Sequence, residues 1–121
     1  ALDLTLRDLQ TQLKNNRHPW EIAKGFDGAC PTSEWIQISE LNPLDEIDLQ
    51  LSINGEIRQQ GNSRDMITAI PELLAYMSSH FTLNPGDIVL TGTPSGVGPL
   101  HRADQLELIL DQRYRFSSQV T

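Results

Sequence analysis

Asp3, Arg7, Asp8 and Gln10 lie within one short stretch, and their types are those of a site that handles small ions. Arg7 and Gln10 are three residues apart, which on a helix puts them on one face. A carboxylate with a guanidinium and an amide close by can hold a cation and a carboxylate ligand together. The same residues also read as an N-terminal capping and salt-bridge cluster, and spacing leaves both readings open. A second place is Lys24, between Ala23 and Gly25 and near Trp20 and Phe26. Lysine amid aromatic residues reads either as a desolvated, functional amine or as an ordinary surface cation. The third is residues 91–99, "TGTPSGVGP", where Thr91 and Thr93 offer hydroxyls and the glycines permit close approach of a ligand.

Glycines that converge backbone N–H groups suit an anion, but two phosphate readings of this stretch fail. A Walker loop needs Lys and Ser or Thr after its last glycine, and Gly98 is followed by Pro99 and Leu100. A dinucleotide fingerprint must open directly into a helix, and "LHRADQLELIL" reads as a turn followed by a strand. Other candidates are weaker. His18, His80 and His101 share no metal-ligand spacing. Asp45, Glu46 and Asp48 read as a solvated edge beside a strand start. Neither Ser63 nor Ser95 stands in a G-x-S-x-G nucleophile elbow.

The elements that must position these groups are legible in outline. "ALDLTL" alternates apolar residues like a strand, and Leu6, Leu9 and Leu13 at helical spacing predict a short helix up to Asn15-Asn16. Residues 17–33 have no sustained period and predict a long irregular loop, the kind of segment that carries function. "EWIQIS" reads as a short strand. Ile47, Leu49, Leu51 and Ile53 alternate with polar residues and run into Asn54-Gly55, which predicts a β-hairpin with a type I′ turn and one buried face. Ile70, Leu73, Leu74, Met77 and Phe81 predict a helix over about 70–80, with Pro71 in its first turn. "DIVLTG", "DQLELIL" and "RYRFSSQV" read as three more strands. The pattern predicts an α+β fold with a mostly antiparallel, barrel-like sheet and one main helix.

Composition bounds the partners. The chain has 121 residues and a formal charge of −7 with no basic run, so neither nucleic acid nor a membrane surface is an expected partner. No apolar segment approaches the roughly 18 residues of a membrane span. One cysteine, Cys30, excludes an internal disulfide framework, fits a cytoplasmic protein and reads as a buried packing residue. The chain begins without Met and as if already inside a strand, so an upstream segment is expected.

Four motifs, "LDLTLRDLQ", "PWEIAKGFDGACP", "INGEIRQQGNSRDMI" and "LTGTPSGVGP", together resemble the C-terminal part of the fumarylacetoacetate hydrolase superfamily in order and separation. The resemblance covers essentially the whole chain. It is greatest to small single-domain members that act as acylpyruvases and oxaloacetate decarboxylases or tautomerases. It implies that residues 1–121 are the C-terminal portion of one catalytic domain, that Mg²⁺ or Mn²⁺ is the cofactor, and that small 2-oxo acids are the substrates of a cytoplasmic homodimer. Residue by residue, it implies that Asp3 is a metal ligand, that Arg7, Gln10, Lys24 and Thr93 bind substrate, and that Lys24 is also catalytic.

In such chemistry a hard cation chelated by a 1-carboxylate and 2-keto oxygen stabilises the enolate left when a C–C bond breaks or a proton leaves C3. The family's E-x-E ligand pair and its lid His-Glu pair have no counterpart in these 121 residues, so the chain is expected to carry half of an active site. By itself it is expected to bind no divalent cation tightly. Two rivals remain: a hydratase or isomerase of aromatic catabolism (2-hydroxyhepta-2,4-diene-1,7-dioate type), and a non-catalytic structural half-domain.

Overall fold

A computed structural model describes residues 1–121. By its contacts the chain divides into two compact units, Ala1–Glu34 and Trp35–Thr121.

The first unit is an extended segment, a helix and an irregular loop. The N–H groups of Leu2, Leu4 and Leu6 donate to the carbonyls of Pro31, Ala29 and Ala23 at 2.9–3.0 Å. No loop N–H returns a bond, so the expected opening strand is extended backbone without a ladder. Helix α1, Arg7–Asn15, follows as predicted, with Asp8 in its first turn and Lys14 in its last, both favourable to the helix dipole. It ends in a Schellman arrangement: Arg17 takes the left-handed conformation, its N–H donates to Lys14 O, and that of His18 donates to Leu13 O. A 3₁₀ turn, Glu21–Ala23, then delivers Lys24. Ala23 and Ala29 are the buried residues of this unit. Cys30 is exposed, contrary to the packing role its type implied, because its neighbour Ala29 takes the inward position.

The second unit is built on one antiparallel sheet in the order β2-β1-β3-β4, with β1 Asp48–Ile53, β2 Glu56–Asn62, β3 Gln105–Leu110 and β4 Tyr114–Gln119. The hairpin β1–β2 turns through Asn54 and Gly55, at φ 53° and 83°, the double left-handed geometry that Asn-Gly supplies. Leu49, Leu51 and Ile53 stand opposite Leu110, Leu108 and Leu106. Burial along this row is graded: Ile53 and Leu106 are buried, whereas Leu49 is exposed. A buried side chain of this size contributes about 1.5–3 kcal/mol. The expected single buried face is therefore incomplete, and Ser52, on the opposite polar row, is buried in the central strand instead. Ser63 closes the start of β1: its hydroxyl accepts from Ile47 N–H at 2.8 Å, and its own N–H donates to Ile47 O.

Between β2 and β3 run α2, Ile70–Ser78, with Pro71 in its first turn, and the glycine-rich loop. The α+β, antiparallel architecture is as expected. In this chain it is an open sheet with β2 and β4 as edges, and α1 and α2 are equally long, nine residues each. Two predicted strands are absent. "EWIQIS" runs extended into a 3₁₀ turn, Ile38–Glu40, and "DIVLTG" is extended without a ladder. Both have strand-like composition, but a strand also requires a partner, which neither finds in this chain. No helix is long and apolar enough to cross a membrane.

Candidate active site

In the first unit the two-residue alternation of the extended segment sends Asp3 and Thr5 the same way, and Lys24 meets both. Its ammonium is paired with Asp3 Oδ1 and donates to Thr5 Oγ1 at 2.9 Å and, more weakly, to Leu4 O at 3.4 Å. All three ammonium protons thus face oxygen. What surrounds Lys24 is therefore an oxygen cage, rather than the aromatic environment its neighbours Trp20 and Phe26 implied. The pair is half-buried, with 25% of the Lys24 side chain and 36% of that of Asp3 exposed. The second oxygen of Asp3, Oδ2, has no hydrogen-bond partner in this chain. On α1, Arg7 Nη1 donates to Gln10 Oε1 at 2.8 Å, the contact their spacing predicted. That bond leaves the Gln10 amide group and the remaining guanidinium protons free to meet an anion.

In the second unit the glycine-rich loop is seated on β2. The β1–β2 register slips between Leu51 and Ser52, which face Gln59 and Ile57, so Arg58 is the extra residue of a β-bulge. Gly96 lies against that bulge at φ 99°, and a Cβ there would stand 1.9 Å from Arg58 O. Gly61 lies under Pro94 with similar closeness: a Cβ would meet the Pro94 ring at 2.8 Å. The Gln59 amide nitrogen donates to Thr93 Oγ1 at 2.8 Å and to Pro94 O at 2.9 Å. The glycines therefore serve close contact between loop and strand, and Thr93 stays exposed at the surface.

The structure thus joins Asp3 to Lys24, and Arg7 to Gln10, in one unit, and fixes Thr93 through Gln59 in the other. Thr5 and Gln59 are partners that sequence reasoning passed over. The signal for Thr5 was its place two residues from Asp3, and for Gln59 its place beside the tight Gly61. No group of three or more His, Cys, Asp or Glu is arranged to hold a metal ion. Asp3 nevertheless has the chemistry of a single hard-cation ligand, an anionic oxygen free of other partners.

The family model for the fumarylacetoacetate (FAA) hydrolase C-terminal region matches residues 1–120. The chain belongs to the fumarylacetoacetate hydrolase family. Within it, the chain is 54% identical over 112 residues to oxaloacetate tautomerase YcgM of Escherichia coli (strain K12), covering 92% of this chain and 51% of that protein. A crystal structure of a fumarylacetoacetate hydrolase family protein from Yersinia pestis CO92 shares 53% identity at a TM-score of 0.93, over 98% of this chain and 54% of that one. Fumarylpyruvate hydrolase from Pseudomonas aeruginosa, in complex with Mn²⁺ and pyruvate, shares 34% identity at a TM-score of 0.91, over 98% of this chain and 51% of that chain. The chain spans about half the length of the relatives it matches.

Proposed function

We propose that the protein carrying this chain is a metal-dependent enzyme of small 2-oxo acids, of the oxaloacetate tautomerase or decarboxylase type. The observation that carries the reading is the Asp3–Lys24 pair: an anionic oxygen with one free face beside a half-buried ammonium. Support comes from the 54% identity to an oxaloacetate tautomerase. Hydrolysis of acylpyruvates is the second reading, favoured by the fold match to a fumarylpyruvate hydrolase.

In this reading Asp3 supplies one of the oxygen ligands of Mg²⁺ or Mn²⁺, and two further carboxylates come from the part of the protein outside these residues. When bound, the cation acts as a Lewis acid toward a keto acid. Lys24 offsets negative charge as it develops on the keto oxygen. Its contact to Leu4 O, at 3.4 Å, is the weak one, so exchanging it for a substrate oxygen loses little. Arg7 and Gln10 orient the substrate through its carboxylate, and the Thr93 hydroxyl donates to a carboxylate oxygen. Tautomerisation and decarboxylation need only this charge stabilisation, whereas hydrolysis also needs a base to activate water. A cytoplasmic location and a homodimer belong to the same reading. The free Cys30 thiol supports the first, and the family resemblance alone supports the second.

The test is calorimetry with Mn²⁺ on the whole protein, followed by assay of oxaloacetate tautomerisation and acylpyruvate hydrolysis. Asp3→Asn should weaken Mn²⁺ by roughly tenfold to a hundredfold, the loss typical of disturbed metal shells. Unchanged metal affinity removes Asp3 from the site, and a metal-loaded wild type inert toward every 2-oxo acid overturns the function.

A further inference from the structure

We infer that Gln59 is a positioning residue for substrate binding: it sets the polarity of the Thr93 hydroxyl so that this hydroxyl donates outward. The inference rests on the substrate-binding role proposed above for Thr93 and adds the residue that makes that role possible.

A threonine hydroxyl both donates and accepts, so its direction is set by its neighbours. An amide side chain is equally ambiguous, because its oxygen and nitrogen are told apart only by what they face. Here Pro94 O resolves the ambiguity. A carbonyl can only accept, so the Gln59 atom 2.9 Å from it must be the NH₂ nitrogen. The same nitrogen lies 2.8 Å from Thr93 Oγ1 and gives its second proton there. The Thr93 oxygen is thereby an acceptor toward Gln59, and its own proton is directed elsewhere. A proton-bearing hydroxyl suits an anionic carboxylate oxygen and repels nothing in it.

The backbone holds the amide in place for this task. Gln59 follows the bulged Arg58 and pairs with Leu51 of the central strand, and the close approach of Gly96 to Arg58 O leaves the loop no room to slide inward. Gln59 is half-buried while Thr93 is exposed, so Gln59 acts from behind the hydroxyl and does not itself meet the ligand.

The probe is pyruvate, titrated by calorimetry into the whole protein saturated with Mn²⁺. Thr93→Val should raise the pyruvate Kd about tenfold, as expected for losing a hydrogen bond to a charged group. Gln59→Leu should raise it about threefold to tenfold. In the Thr93→Val background, Gln59→Leu should add nothing, because its effect passes through the hydroxyl. An effect of Gln59→Leu that persists undiminished in that background assigns it a merely structural role and overturns the inference. So does a Gln59→Leu protein that binds pyruvate normally while Thr93→Val does not. If Thr93→Val itself changes nothing, the Thr93 role fails and the inference fails with it, a distinguishable result.

Should Gln59→Leu not fold, Gln59→Glu preserves the shape. Its carboxylate can only accept, which draws the Thr93 proton inward. The pyruvate Kd of Gln59→Glu relative to wild type should then rise as pH increases through the carboxyl range, and a pH-independent ratio overturns the inference.

Discussion

The Asp3–Lys24 corner and the Thr93–Gln59 corner hold functional groups in opposite ways. In the first, the groups hold one another: an ammonium and a carboxylate, set on an extended segment and a 3₁₀ turn, are fixed by charge and by the Thr5 hydroxyl. In the second, no charge takes part. A neutral amide on a strand holds a neutral hydroxyl, and the geometry is imposed by backbone contact at Gly96 and Gly61. Charge pairs can exchange partners when a cation or substrate arrives, whereas a loop seated on a sheet keeps one geometry. The difference suits a site whose reacting end must rearrange while its recognition end stays rigid.

The sharpest way to break this comparison is at Lys24. Lys24→Met keeps the aliphatic stem and removes the charge. Turnover of the preferred 2-oxo acid should fall by about a hundredfold or more, as for loss of a donor that meets developing negative charge. Steady-state kinetics with a circular-dichroism check of folding measures it, and near-normal turnover would return Lys24 to a structural ion pair.

The second corner should respond to backbone changes in proportion to the contact each glycine makes. Gly96→Ala forces a Cβ toward Arg58 O at a left-handed φ of 99°, so stability should drop by about 1–3 kcal/mol or more. Gly98 has open space around it, and Gly98→Ala should stay within about 0.5 kcal/mol of wild type. Urea unfolding of the two variants decides: equal effects would mean that the loop is not seated on the bulge.

What the sequence disclosed follows the range of each interaction. Helices α1 and α2, the Asn-Gly hairpin and strands β3 and β4 are written in local periods and turn residues, and each formed close to its expected bounds. "EWIQIS" and "DIVLTG" were misread because strand-like composition says nothing of a partner. The site divides similarly. The Arg7–Gln10 bond was legible because three residues on a helix make neighbours. The Asp3–Lys24 pair spans 21 residues and the Gln59–Thr93 bond spans 34; no periodicity reaches that far. Motif resemblance marked four of these residues without their contacts, and Gln59 only through its contact.

The smallest expected effect concerns charge used as scaffold in the neutral corner's own unit. Asp48, on β1, accepts from Asn62 Nδ2 at 2.7 Å on β2 and from Gln112 Nε2 at 2.9 Å in the β3–β4 turn. These bonds favour its ionised form, and Asn62 foremost holds its carboxyl below the ordinary value of 3.8. Asp104 is lowered likewise, chiefly by the His101 N–H and next by the Asn54 amide. A group with a depressed folded pKa contributes stability that is fully present above its unfolded value and is lost as pH falls through the folded one. Asp48→Asn has no such proton to take up. Its deficit in Tm relative to wild type should therefore be constant above about pH 5 and shrink as pH drops below about 4. Thermal scans across that range test it. A deficit that stays constant down to strong acid would mean that Asp48 acts through shape, and that this unit's scaffold is as indifferent to charge as the Thr93 corner it supports.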